Sequence, residues 1–258
     1  MYRGKHTHQE RSRSKKHSPG ALVLLLMTVL LVGGVVGGTL AWLITETDSV
    51  VNTFTYGDVN LKLEETKTDE KGNPVTDDNG DPVKTTEGND YEMIPGEEYL
   101  KDPAVTVLAG NEACWLFVRL EENGGGTITT YDFDDYLTYE VASVWTQLLD
   151  ENGNAVEGVY YTRVGESVTD MSYQVLKDNK IYVLGTVTKD MLNALDNNGQ
   201  DAATATYPSL SVTAYAVQYS GFVAEVSDGA DSATNEQVNT AAQKAWEAVE
   251  AQSATTEP

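Results

Sequence analysis

The segment from Ala113 to Leu120 constrains the fold most, because every residue in it except Arg119 is apolar. Successive side chains of a β-strand lie on opposite faces of the sheet. Both faces are hydrophobic here, with Cys114, Leu116, Val118 and Leu120 on one and Trp115 and Phe117 on the other. A strand of this kind needs cover on both sides. We therefore predict a central strand buried between two layers.

Alternation of apolar and polar residues, typical of a strand with one solvated face, recurs along the chain. The predicted strands are Val59 to Leu63, Val105 to Val107, Ala113 to Leu120, Val159 to Val164, Ile181 to Val187 and Leu210 to Tyr219, with Val141 to Leu149 as a less regular seventh. Many short strands without a strand–helix rhythm predict an all-β fold, an antiparallel, jelly-roll-like β-sandwich with short peripheral helices. We assign it to residues 56–228.

Two helices are predicted beside the sheets. Thr188 can cap a short helix, and Thr234-x-x-Gln237 is a capping box at the start of a C-terminal helix and tail, residues 229–258. The apolar residues of the first are Met191, Leu192 and Leu195, and those of the second are Val238, Ala242, Ala245, Trp246 and Val249. The second set forms one stripe, which predicts docking on the helix's own domain. A helix that binds a partner is the alternative.

Three near copies of one turn sequence separate the strands. They are Asp69 to Val75, Asp77 to Val83 and Asp150 to Val156. Their Asp, Asn and Gly residues favour hairpin turns, whereas the acidic spacing also imitates a calcium loop. An EF-hand loop needs glycine sixth and an acid twelfth, but Pro82 and Gly88 occupy these places in the second copy, and Ala155 and Tyr161 in the third. We therefore predict hairpins and no metal site.

The N-terminal 41 residues have the order of a secretory signal peptide. Thr39 and Ala41 fit the −3 and −1 positions of a cleavage site, so cleavage is predicted between Ala41 and Trp42. The alternative is an uncleaved anchor, because residues 21–44 are long and apolar enough to span a membrane. The signal predicts secretion to the extracellular matrix or cell surface, with membrane contact only through an uncleaved signal. Its parts are a basic region (1–20), an apolar region (21–32) and a glycine-rich exit (33–41).

The net charge of −23 is distributed unevenly. The first 41 residues hold six of the 17 Lys and Arg side chains but only one of the 40 acids, Glu10. The rest of the chain is therefore strongly acidic, which favours solubility and repels phosphate backbones. We predict no nucleic-acid partner.

The residue types limit the chemistry. All three histidines lie in the first 41 residues and Cys114 is the only cysteine, so the rest has no histidine zinc pair, no Ser-His-Asp triad and no internal disulfide. We predict no enzyme activity and no cofactor, and interpret Cys114 as a small buried hydrophobe. A hydrolase with paired carboxylates stays open, since the sequence does not show which acids face each other.

One acidic and aromatic cluster stands out in the middle of the chain. It comprises Asp132, Asp134 and Asp135 with Tyr131, Phe133 and Tyr136. We predict a solvated loop there. A surface that faces carbohydrate or divalent cations is the alternative.

Five motifs toward the two ends of the chain follow one known pattern. They are Gly37-Gly-Thr-Leu-Ala-Trp42, Asn52-Thr-Phe-Thr-Tyr-Gly-Asp-Val-Asn-Leu-Lys-Leu-Glu-Glu65, Lys101-Asp-Pro-x-Val-Thr-Val107, Cys114-x-x-Phe-Val118 and Val212-Thr-Ala-Tyr-Ala-Val-Gln218. Together they resemble the TasA/camelysin family of Gram-positive bacteria, whose signal peptides are processed by a SipW-type signal peptidase. The resemblance implies an exported jelly-roll subunit of biofilm-matrix fibres, in which the N-terminal segment of one subunit completes the sheet of the next.

Residues 42–55 are the candidate donor strand. The segment carries apolar side chains at Trp42, Leu43, Ile44, Val50, Val51 and Phe54. A strand from a neighbour can satisfy the free N–H and C=O groups of an open sheet edge. The expected partners are a second copy of the chain and, during export, the SipW-type peptidase. An ordinary first strand paired within its own subunit is the alternative, and a monomeric or membrane-tethered adhesin or glycan-binding module is the alternative function.

Overall fold

The computed structural model describes residues 44–47, 59–123, 131–195, 207–224 and 232–256, with the backbone alone at 44–47 and 254–256. All of them belong to one compact unit. The described helices are α1 (Phe133–Tyr136), α2 (Lys189–Leu195) and α3 (Asn235–Thr256). The described strands are β1 (Ile44–Thr47), β2 (Leu61–Thr66), β3 (Lys84–Thr85), β4 (Glu98–Leu100), β5 (Ala104–Val107), β6 (Cys114–Asn123), β7 (Leu137–Thr138), β8 (Thr146–Leu149), β9 (Ala155–Val164), β10 (Met171–Gln174), β11 (Lys180–Val183) and β12 (Ser209–Gln218).

These strands form three antiparallel sheets. The orders are β1-β12-β6-β9-β8, β10-β5-β2-β3 and β4-β11-β7. Antiparallel sheets with few helices confirm the all-β prediction. Within the described ranges, no helix has the length and apolar character needed to cross a membrane.

Strand β6 lies at the centre of the large sheet and confirms the prediction of a strand covered on both faces. It pairs with β12 along its whole length and with β9 on its other side. Cys114, Leu116, Val118 and Leu120 join a core shared with the two smaller sheets. Trp115 and Phe117 join a second core formed with α3. The large sheet is therefore the middle of three layers.

Helix α3 docks on its own domain, as predicted. The capping box is formed, because the Thr234 N–H donates to Gln237 Oε1 at 2.8 Å and the Gln237 N–H donates to Thr234 Oγ1 at 3.3 Å. Ala242, Ala245, Trp246 and Val249 are buried, and the Trp246 ring lies 5.4 Å from Phe117 and 5.3 Å from Tyr215 between centroids. The stripe thus covers the outer face of the large sheet.

The shorter elements follow the predictions less closely. Helix α2 begins where expected, since the Met191 N–H donates to Thr188 Oγ1 at 3.3 Å. The predicted strand from Ile181 to Val187 ends early at Val183, because the Leu184 N–H donates to the Tyr136 carbonyl and Val187 closes a turn onto Leu184. Of the predicted strand from Val141 to Leu149, only β8 is formed. Strands β3, β4, β7 and β10 were not predicted.

An irregularity in the hairpin of β8 and β9 brings β9 close to β6. The pairing shifts register between Gln147 and Leu149, and Gln147 Nε2 donates to the carbonyls of Val156 and Val159 at 2.7 and 3.0 Å. Gly158 has a φ of 66°, and a Cβ there would lie 2.1 Å from the Leu120 carbonyl oxygen. Only glycine permits this approach.

We expect Gly158→Ala to lower the free energy of unfolding by about 3 kcal/mol or more, because the methyl group meets the Leu120 backbone and alanine is strained at positive φ. Urea unfolding measures the change. Gly153→Ala is the matched control, since Gly153 has a φ of 82° but nothing within 4 Å of its Cβ position. That variant should lose only about 1 kcal/mol. Equal losses would contradict the assignment of the effect to Leu120.

Candidate functional site

The first strand lies at one edge of the large sheet and pairs within its own chain, which is the alternative that the sequence left open beside strand donation. Strand β1 pairs antiparallel with β12, from Ile44 opposite Val217 to Thr47 opposite Ala214. Four residue pairs hold it there. Of the predicted donor residues, only the backbone of Ile44 is described. The others, Trp42, Leu43, Val50, Val51 and Phe54, and the predicted cleavage site between Ala41 and Trp42, lie outside the described residues.

Strand β12 is longer than the strand that covers it. It pairs with β6 over residues 209–218 but with β1 only over residues 214–217. We call residues 209–213 the β12 margin. No other strand of the described ranges pairs with the outer edge of this margin. A groove of about 310 Å³ adjoins it. Its lining is mixed, because charged side chains such as Glu64, Glu65 and Lys101 line it together with Leu63, Pro103 and residues 210–212.

The opposite edge of the large sheet is covered by a side chain. The Leu149 N–H of β8 donates to Asn239 Oδ1 at 3.1 Å, and Asn239 Nδ2 donates to the Leu149 carbonyl at 3.1 Å. The amide of Asn239, on α3, therefore occupies both backbone groups that a further strand would use at Leu149. The two edges of the sheet thus differ in their capacity to accept a strand.

The three repeated sequences form the same turn, which confirms the hairpin prediction. Asp69, Asp77 and Asp150 each accept two backbone N–H groups on Oδ1, with N–H···Oδ1 donor–acceptor distances between 2.7 and 3.0 Å. The glycine of each turn has a positive φ. Among the described residues, no cluster of His, Cys, Asp and Glu is arranged to hold a metal ion. The repeat is thus explained by turn geometry.

The first two turns also explain the eight-residue spacing. The Lys67 N–H donates to the Val83 carbonyl, the Val75 N–H to Lys67 and the Val83 N–H to Val75, at 2.8, 2.8 and 2.9 Å. The tandem copies therefore close a ring of three backbone hydrogen bonds. This ring leads the chain from β2 to β3.

The acidic and aromatic cluster forms a helix, so the prediction of a solvated loop is wrong here. Asp132 caps α1, and its N–H donates to Asp135 Oδ2 at 2.8 Å. Phe133 and Tyr136 are buried, because their rings enter the core shared by the three sheets. Asp134 lines a shallow depression of about 410 Å³ with Tyr139 and other residues. Those residues include Glu122, Glu140 and Tyr160.

Burial raises the pKa of two side chains, Tyr139 and Cys114. Burial and its hydrogen bond to Glu122 Oε1, at 2.6 Å, raise the pKa of Tyr139 above its usual value of 10.0. Burial raises the pKa of the Cys114 thiol to about 12. Cys114 is therefore protonated at neutral pH and packs as the small buried hydrophobe that was predicted.

A largely buried group of charged residues was not predicted from the sequence. Both oxygens of Asp102 accept hydrogen bonds from Thr66, one from the N–H and one from the hydroxyl, each at 2.6 Å. Lys84 Nζ lies 3.3 Å from Asp102, and Lys101 Nζ lies 3.1 Å from Glu65. Strand alternation predicts no inward charge here, although Lys101-Asp102-Pro103 is one of the motifs in the family resemblance. The group fastens the start of β5 to β2.

Comparison with protein-family models, curated proteins and solved structures gives no match to this chain. The resemblance to the TasA/camelysin family therefore stays a prediction that rests on the sequence motifs.

We expect the carboxyl groups of Asp69, Asp77 and Asp150 to titrate below their ordinary pKa of 3.8, because hydrogen bonds favour the charged form. Their contribution to stability is present above the unfolded pKa and is lost as the pH falls through the folded pKa. Carboxyl titration by NMR measures the midpoints. Asn73→Ala removes the main cause at Asp69, so it should raise that midpoint and leave Asp150 unchanged. An unchanged Asp69 would contradict the assignment.

Proposed function

We propose that this chain is a secreted structural subunit of the TasA/camelysin type, which forms fibres of the extracellular biofilm matrix by exchanging its N-terminal strand between neighbours. One observation carries the proposal. The first strand lies at the edge of the large sheet, four residue pairs hold it on β12, and the β12 margin extends beyond it.

Strand exchange conserves the backbone hydrogen bonds. In the isolated subunit, β1 satisfies N–H and C=O groups of its own β12. In a fibre, β1 of a neighbour takes the same register on β12, so each β12 keeps its partner and two subunits become joined.

The unequal edges of the sheet give such a fibre a direction. The β8 edge is occupied at Leu149 by Asn239, so the large sheet of each subunit offers its β12 edge to a neighbour. One donor strand and one accepting edge per subunit form a head-to-tail interface, which continues as a filament unless its rotation closes a ring. We include in the proposal cleavage between Ala41 and Trp42 by a SipW-type peptidase, which gives segment 42–55 a free end.

The finer fold assignment, a jelly roll, belongs to the same proposal. The chain passes between sheets from β5 to β6 and again from β9 to β10, and the first strand lies beside the last. These features are consistent with a jelly-roll sandwich. The three-stranded sheet β4-β11-β7 and helix α3 are then additions to this sandwich.

A monomeric or membrane-tethered adhesin is the second candidate. The depression beside Asp134 favours it, because carboxylates of Glu122 and Glu140 lie there with the rings of Tyr139 and Tyr160. Acidic and aromatic side chains together suit a sugar surface. Glycan-array binding by monomeric protein, abolished by Tyr160→Ala, would favour this function over the fibre.

We expect purified residues 42–258 to form fibres and residues 56–258 to remain monomeric, because the truncation removes the donor strand and leaves the β-sandwich. Electron microscopy and sedimentation velocity measure assembly, and circular dichroism checks that both forms fold. Raised salt should speed assembly by screening the repulsion between acidic subunits. Fibres from residues 56–258 would overturn the proposal. It would also be overturned if residues 42–258 stayed monomeric at every salt concentration, pH and protein concentration.

A cysteine pair tests the exchange itself. Thr45 lies opposite Ala216, at a spacing that a disulfide between antiparallel strands can bridge. We expect Thr45→Cys with Ala216→Cys, in a Cys114→Ala background, to block fibres when oxidised before assembly and to give covalent ladders on gels when oxidised afterwards. Each single cysteine variant is the control. Exclusively intramolecular disulfides within mature fibres would contradict strand exchange.

A further inference from the structure

Three side chains of complementary reactivity meet in the buried charged group. Lys101 Nζ lies 3.1 Å from Glu65 Oε2, and Asn89 Nδ2 donates to Glu65 Oε1 at 2.9 Å. An amine and a carboxamide therefore contact the two oxygens of the same carboxylate. The two side chains share this partner, although Asn89 lies between β3 and β4 and Lys101 follows β4.

The carboxamide of Asn89 is fixed in orientation. Its Oδ1 accepts the N–H of Thr68 at 2.9 Å, and its Nδ2 also donates to the Thr66 carbonyl at 2.9 Å. Each amide atom has partners of the matching kind, so the positions of nitrogen and oxygen are determined by the network. The Thr68 N–H points at the oxygen on which negative charge would develop during nucleophilic attack.

The lysine and the carboxylate are almost wholly buried at the wall of the groove beside the β12 margin, whereas Asn89 is partly buried. Lys101 is 9% exposed and Glu65 is 6% exposed. Burial of a charged pair carries a desolvation penalty, and transfer of the lysine proton to the carboxylate removes both charges. Tyr91 holds the two segments together, since its hydroxyl donates to the Leu100 carbonyl at 2.7 Å.

We propose that Lys101 and Asn89 become joined by an intramolecular isopeptide bond, with Glu65 as the proton carrier. Glu65 takes a proton from the Lys101 ammonium group, and the neutral Nζ attacks Cγ of Asn89 to form a tetrahedral intermediate. The Thr68 N–H stabilises its oxygen. Glu65 passes a proton to Nδ2, the Cγ–Nδ2 bond breaks, and ammonia leaves as Glu65 takes up the remaining proton from Nζ. The products are one amide, one ammonia and a neutral Glu65, and no further reactant is consumed.

The neighbouring ion pair provides a contrast. Both oxygens of Asp102 accept hydrogen bonds from Thr66, and an ionised carboxylate is a poor electrophile. The side chain of Lys84 is 43% exposed, whereas that of Lys101 is 11% exposed. Asp102 therefore positions the segment that carries Lys101, and Lys84 is suited to serve as the control lysine.

The bond would close a covalent loop from Asn89 to Lys101. This loop includes β4, which pairs with β11 in the smallest sheet. A chain with one cysteine has no internal disulfide, so the isopeptide bond would supply the cross-link that this sheet otherwise lacks. The inference does not depend on fibre formation.

Intact-mass spectrometry of the folded full chain tests the proposal. We expect a mass lower than the sequence mass by one ammonia, and Glu65→Gln, Lys101→Arg and Asn89→Ala should each retain the ammonia. Lys84→Arg should still lose ammonia. Peptide fragmentation must place the link between Asn89 and Lys101.

Chemical cleavage gives a second readout. Met93 lies inside the proposed loop, so after cyanogen bromide treatment the fragments on either side of it should stay joined in the natural protein and separate in Lys101→Arg. The mass and the fragments of the natural protein test the proposal even where a variant fails to fold. Full sequence mass, or separated fragments, in folded natural protein would overturn the proposal.

Discussion

The double-sided burial of β6 is the constraint on which the rest of the structure depends. Its two apolar faces require two cores, one shared with the smaller sheets and one with α3. Each core removes large side chains from water, and on the helix side Trp115 and Phe117 are fully buried, with the Phe117 ring against Trp246. The long pairing of β6 with β12 then places the C-terminal strand beside the centre, so that the sheet edge falls at β1.

The two edges of this sheet link architecture to the proposed assembly. Helix α3 covers the outer face and also sends Asn239 to the backbone of β8, so the packing that buries one core also blocks one edge. The other edge is covered by β1, which forms four residue pairs with β12. A short edge strand is the least costly element to exchange, because its bonds are recovered in full from a neighbour.

The charged group between β2 and β5 is a second, polar anchor of the same fold. Thr66, Asp102 and Lys84 tie the strands together by hydrogen bonds, while Asn89 and Lys101 both contact the carboxylate of Glu65. The hairpin ring formed by the tandem turns leads directly out of this region. In a chain with a single cysteine, these polar contacts tie the two strands together without a disulfide.

The sequence by itself determined the elements whose cause is local. The period of β6, the capping box of α3 and the three Asp-initiated turns each follow from neighbours along the chain, and all three were predicted correctly. The early end of β11, the burial of Phe133 and Tyr136, and the contact of Asn89 with Lys101 through Glu65 were decided only by the tertiary structure. These features depend on which segments meet in space. Strand alternation tells which residues share a face, but it carries no information about the partner that the face or edge will contact.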